Sequence, residues 1–138
     1  METFRIGLLA KKSGVNIQTV RYYERRRLMP KPQRRQSGYR QYTHEDIRRI
    51  KFIKRAQELG FTLNEISELL SLLSLLSLRV DSETTCADVK AKAGTKIIDI
   101  DARVQSLQKM KNALADLSAS CNEANVNSEC PILEYLNL

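Results

Sequence analysis

A chain of 138 residues has room for one compact domain and an extended appendage, and is too short for a large enzyme with a deep cleft. Its formal net charge of +7 is unevenly spread: residues 1 to 55 carry 16 Lys and Arg against 4 Asp and Glu, net +12, whereas residues 56 to 138 carry 7 against 12, net −5. A front half that positive, with tyrosines interspersed rather than a broad apolar face beside the charges, suits nucleic acid and speaks against a membrane surface.

No basic start followed by a long apolar run opens the chain, and its longest apolar stretch, LLSLLSLLSL from Leu69 to Leu78, is too short to cross a bilayer. The expectation is a cytoplasmic protein whose thiols stay reduced. Three cysteines, an odd number, argue further against a disulfide scaffold. The single histidine, His44, lies at the edge of the basic region, where a surface or phosphate-contacting role suits it better than metal ligation. No paired carboxylates and no nucleophile with its base are visible, so an enzyme is disfavoured.

In chain order, the first helical signal is IGLLAKKSG, with Ile6, Leu9 and Ala10 on one side and Gly14 as its stop. A second helix is expected from about Ile17 to Arg26, with Gln18, Thr19, Arg21, Tyr22 and Arg25 on its exposed face. Two short helices joined by a tight turn form a helix-turn-helix pattern, in which the second helix enters the DNA major groove. From Pro30 to Tyr42, two prolines, a Ser-Gly turn and the run Tyr39, Arg40, Gln41, Tyr42 predict a hairpin. Such a basic wing, with Tyr39, Arg40 and Tyr42, would lie along the phosphate backbone and position the protein without reading sequence.

A third helix should start after Thr43, capped with the help of Asp46, bury Ile47, Ile50, Ile53 and Ala56, and stop at Gly60. Thr62 and Glu65 form a second capping box that restarts the chain as a fourth helix. In the LLSLLSLLSL run the three-residue period drifts around a 3.6-residue helix, so burial on several sides is expected there.

Stepping by sevens from Cys86 reaches Ala93, Ile100, Leu107, Leu114 and then Cys121, with a second apolar line through Ile97 and Val104, near Met110 and Leu117. Residues from about 84 to 119 therefore read as one amphipathic helix with a narrow seam for one partner helix, weakened by Lys90, Lys111 and Ser118 and open to interruption at Gly94. In a continuous helix the separation of Cys86 from Cys121 is about 50 Å, too far for one ion within a monomer. In a symmetric antiparallel homodimer, however, Cys86 of one subunit meets Cys121 and Cys130 of its partner, which makes two equivalent three-thiol sites.

Cys130 precedes PILEYLNL, where a proline at the first helical position makes the cysteine an N-cap and lowers its thiol pKa. Three thiolates with no histidine nearby, and only Glu123, Glu129, backbone or water to complete the set, favour mercury, lead or cadmium before zinc, with copper(I) still open. Two other readings stand beside this one. Cys86 and Cys121 could be small apolar seam residues and Cys130 an incidental cap, or Cys130 could be the responsive group of a thiol-redox sensor.

Over essentially its whole length the chain resembles the MerR family of metal-responsive transcription regulators. The matching residues are IGLLAKKSGVNIQTVRYYER, GYRQYTHEDIRRIKFIKRAQELGFTLNEISELL, the long helix, Cys121 and the CPIL that begins at Cys130. The resemblance is strongest to the mercury-responsive branch, whose three cysteines have the same separations of 35 and 9 positions and a proline after the last. That implies a metal role for Cys86, Cys121 and Cys130, with mercury(II) as effector and lead(II), cadmium(II) and zinc(II) as alternatives. The lead-responsive branch shares nearly the same spacing. The zinc branch typically adds a second cysteine and a histidine in the clasp, and the copper branch typically replaces the first cysteine with serine. The LLSLLSLLSL run departs from familiar mercury sensors.

The resemblance further implies a homodimer on promoter DNA with an overlong spacer, repressing without metal. With metal it would bend and untwist the DNA so that RNA polymerase engages both recognition elements. The expected fold is mainly α: a winged helix-turn-helix DNA-binding domain with linking helices over 1–80, a long antiparallel coiled-coil dimerisation helix over 81–120, and a metal-binding loop with a short C-terminal helix over 121–138.

Overall fold

The structure, a computed structural model, describes residues 2–30, the backbone of 33–34, and residues 38–78, 82–121 and 130–138. It divides into two compact units, Met1–Lys92 and Ala93–Leu138.

In the first unit, α1 (Ile6–Ser13) buries Leu9 and Ala10 and ends on Gly14, whose φ of 73° lies in the left-handed region that costs glycine no Cβ clash. After the turn, the Asn16 side chain caps α2 (Ile17–Arg25) by accepting the Thr19 N–H at 2.8 Å. Helix α2 buries Val20 and Tyr23, three positions apart, which turns Gln18, Arg21, Tyr22 and Arg25 outward. The chain then forms a two-stranded antiparallel wing, β1 (Gln33–Arg34) and β2 (Arg40–Gln41), with Gln33 opposite Gln41 and Arg34 opposite Arg40.

Helix α3 (His44–Glu58) starts from the expected box: Asp46 accepts the Thr43 N–H at 2.8 Å. Its buried residues are Ile47, Ile50, Ile53 and Ala56, as their spacing predicts. Gly60, at φ 92°, turns the chain, and Thr62 and Glu65 cap α4 (Leu63–Ser77) reciprocally, with Glu65 accepting the Thr62 N–H at 2.7 Å. Leu9, Val20, Leu28, Tyr42, Ile50, Ile53 and Ile66 are essentially fully buried where α1 to α4 meet. Each such side chain is worth about 1.5–3 kcal/mol of transfer free energy.

Among the described residues, the expected burial of the leucine run on several sides is not found within the chain. Helix α4 packs on α3 and buries only Ile66 and Leu70, so a three-residue period that spreads leucines around the helix leaves Leu73, Leu75 and Leu78 exposed. The serines between them turn inward along their own helix: Ser71, Ser74 and Ser77 donate to the carbonyls of Ser67, Leu70 and Leu73 at 3.2, 3.1 and 3.1 Å.

Helix α5 (Ser82–Ser120) is a single element of 39 residues, uninterrupted at Gly94. Within the second unit its seam is open: Ile97, Ile100, Val104, Leu107, Met110 and Leu114 are 40% to 62% exposed. A last helix, α6 (Pro131–Leu136), begins with Pro131 in its first turn and Cys130 as N-cap, as the Cys-Pro pair predicts. Among the described residues no helix is long and apolar enough to cross a membrane.

Candidate functional site

Two sets of residues carry the chemistry, a basic face on the first unit and the thiols. On the basic face, α2 presents Gln18, Arg21, Tyr22 and Arg25 to solvent. Thr19 is half-buried, and its hydroxyl donates to the capping Asn16 side chain at 2.8 Å, so much of its polar capacity goes into fixing the start of the helix. The Tyr22 ring lies beneath two guanidinium groups, Arg25 at 5.8 Å and Arg26 at 5.9 Å, and its hydroxyl accepts from Arg26 at 3.2 Å.

On the wing side, Tyr39 is exposed with Arg5 stacked over its ring at 4.3 Å. Arg40 reaches back to Glu24 of α2 at 2.9 Å, tying the wing to that helix. Between wing and helix opens a cleft of about 1270 Å³ lined by Arg5, Arg21, Arg25, Arg27 and Arg40, with Glu24 as its one acid among the described lining residues. Its anionic group is already engaged by Arg40, so the cleft as a whole offers positive charge to an anionic ligand such as a phosphate chain.

Tyr42 corrects the expected contact set. It is only 1% exposed because its backbone pairs with Phe4, through bonds of 2.7 and 2.9 Å that draw it under the wing, and so it has no surface to offer a phosphate. Its hydroxyl donates to Glu24 at 2.8 Å. Burial, and then that carboxylate, push the phenol up to about 12. Tyr42 therefore positions Glu24, which in turn holds Arg40. Tyr42→Phe should cost about 1.5–3 kcal/mol, the range for a hydrogen bond to a charged group, while leaving the salt dependence of DNA binding unchanged. Thermal melting and a salt titration check the two halves of that statement.

His44 is exposed, as expected, and meets the Glu2 carboxylate at 3.1 Å and the Phe4 ring edge-on at 4.9 Å. The His44 hydrogen bond holds the Glu2 carboxyl below its ordinary value. Arg5 and Arg27 were not anticipated from the pattern. Arg5 precedes the first helical signal, and Arg27 lies just beyond the end of the second.

All three cysteines are free and exposed. Cys86 lies in the early turns of α5, Cys121 immediately follows the last residue of that helix, and Cys130 caps α6. The backbone N–H groups of Leu133 and Ile132, with a further hydrogen bond from Cys121, hold the Cys130 thiol below its usual range. Glu123 and Glu129 lie outside the described residues. Among the described residues no group of three His, Cys, Asp or Glu side chains converges within the chain to hold a metal ion.

Comparison with known proteins places these features in a family. Residues 4–73 match the family described as MerR HTH family regulatory protein, and residues 47–117 match the family described as MerR, DNA binding. The mercuric resistance operon regulatory protein of Bacillus cereus is 45% identical over 133 residues, covering 96% of each chain. Among solved structures, the transcriptional regulator MerR of Bacillus megaterium MB1 in complex with mercury(II) superimposes with a TM-score of 0.73 at 41% identity, covering 98% of this chain and 100% of that one. The transcription regulator PbrR691 of Ralstonia metallidurans CH34 in complex with lead(II) gives a TM-score of 0.79 at 35% identity, covering 96% and 98%. With its paired short helices, wing and long α5 in that order, the chain belongs to the MerR family of helix-turn-helix regulatory proteins, which bind DNA.

Proposed function

We propose that this DNA-binding regulator is a mercury(II)-responsive switch on the promoter of a resistance operon, repressing without metal and activating with it. Two copies pair through α5 in antiparallel fashion. At each end of the pair Cys86 of one subunit joins Cys121 and Cys130 of the other around one ion. Gln18, Arg21, Tyr22 and Arg25 meet the major groove, and Tyr39 and Arg40 follow the phosphate backbone.

The observation that carries this reading is the placement of the thiols at the two ends of an exposed apolar seam. A row of apolar residues 40% to 62% exposed needs a partner surface, and an antiparallel partner brings opposite ends of the helix side by side. The donors fit a soft ion: three sulfurs, one acidified at a helix N-terminus and so supplied more readily as thiolate. Bound there, the ion would hold the three thiolates in one arrangement and so favour whichever pairing geometry brings them together.

The energetics are adequate. Bending a promoter site costs on the order of 1–6 kcal/mol, and moving a two-state equilibrium from 1:99 to 99:1 takes about 5.5 kcal/mol of differential affinity. Soft-metal thiolate bonds cover that range if the two DNA-bound conformations hold the thiols differently. The distortion is proposed to act on the promoter spacer, letting RNA polymerase engage both of its recognition elements.

Lead(II) is the second reading, favoured by the likeness to the lead-bound regulator. Transcription and bound metal measured with mercury, lead, cadmium and zinc against excess small thiol separate the two. Mercury should act at the lowest free concentration; lead acting below mercury would overturn the choice of ion.

A further inference from the structure

The geometry points to Arg27 as an additional DNA-phosphate contact, at the foot of the arginine cleft between α2 and the wing; the assignment rests on the DNA-binding reading above. The first observation is conformational. Arg27 has φ 59° and is the one non-glycine residue at positive φ among the described residues. Two backbone bonds impose that conformation: the Arg27 N–H donates to the Glu24 carbonyl at 3.0 Å, and the Leu28 N–H reaches over it to the Tyr23 carbonyl at 2.9 Å. This is a Schellman closure of α2, anchored by Leu28 and Tyr23, which are 1% and 3% exposed. Its left-handed position is ordinarily filled by Gly or Asn, because a Cβ there crowds the neighbouring backbone.

The second observation is what the side chain contributes. Arg27 is exposed and lines the same cleft as Arg5, Arg21, Arg25 and Arg40. Within that cleft Arg40 is bound to Glu24 and Arg5 is stacked on Tyr39, whereas Arg27 makes no ion pair among the described residues. A backbone strain accepted for an arginine, where glycine would close the helix more comfortably, places a permanently charged fork on the wall of a cleft already built for an anion. The cleft runs between the groove helix and the wing, so the anion it meets on DNA is the sugar-phosphate backbone rather than a base edge.

Arg27→Gly separates this role from a structural one, because it should relax the backbone while removing the charge. The test uses the full-length protein and the duplex that wild type selects from a random-sequence pool. At about 0.15 M salt Arg27→Gly should bind roughly tenfold more weakly, and the slope of log K against log salt should fall by about 0.9 per protomer, one phosphate's worth. Its thermal midpoint should equal or exceed that of wild type, and Arg27→Lys should recover most of the affinity and slope. Unchanged affinity and slope in Arg27→Gly would overturn the assignment, as would a binding loss accompanied by a lowered midpoint. Failure of wild type to select any duplex would instead overturn the DNA-binding reading itself.

Discussion

Replacing Cys86 by Ser should abolish activation by mercury while operator binding without metal stays at the wild-type level. The residue is exposed, so the substitution opens no cavity and leaves no buried group without a partner. What is lost is one of three soft donors, and the hard hydroxyl that replaces it is a poor ligand for a soft ion. Mercury affinity at the site should therefore fall by well over the ~10–100-fold that removal of an outer-shell partner of a metal site costs, which leaves no response at concentrations that induce wild type. If Cys86 were merely a small seam residue, Ser would be tolerated and induction would persist. A thiol-redox sensor centred on Cys130 gives a third pattern, a response to oxidant under metal-free conditions that survives Cys86→Ser. Anaerobic titration with metal and then with oxidant distinguishes them.

Arg21→Ala should weaken operator binding in both metal states. The buried Val20 and Tyr23 fix the rotational phase of α2, and that phase turns Arg21 outward into the arginine cleft. A guanidinium bonded to a base edge or phosphate is worth about 1–3 kcal/mol per contact, and a dimer makes the contact twice. On the proposed reading metal acts on the thiols rather than on this face, so bound and metal-free protein should lose affinity by the same factor. Gel-shift titrations with and without mercury measure it; unchanged binding would mean that α2 does not enter the groove.

The features most legible in the sequence were those specified locally. The two capping boxes, Thr43 with Asp46 and Thr62 with Glu65, announce the starts of α3 and α4 because both partners lie within one turn. Ile47, Ile50, Ile53 and Ala56 mark the buried face of α3 by spacing alone. Tyr42 was misread because its burial is decided by a partner thirty-eight positions away, Phe4, which no local alternation reveals. The leucine run was misread for a related reason: periodicity says which directions are apolar, but the neighbours decide which directions are covered. Arg27 illustrates a further limit. The run RYYERRRL shows charge at every arginine alike, and only the backbone conformation singles one of them out.

The proposed division of labour among the cysteines belongs with these long-range features. Their heptad spacing is visible in the sequence, but which chain completes each site depends on how two copies pair. Mixed dimers test that most directly. When Cys86→Ser subunits are combined with Cys130→Ser subunits, one end of the heterodimer brings together an intact Cys86 from one chain with Cys121 and Cys130 from the other. The other end lacks two of its three thiols. Mercury stoichiometry on the purified heterodimer, measured against excess small thiol, should be one tightly held ion per dimer, with none on either homodimeric variant. A heterodimer that holds no ion would contradict the shared site, because ligands drawn from a single chain are incomplete in both subunits.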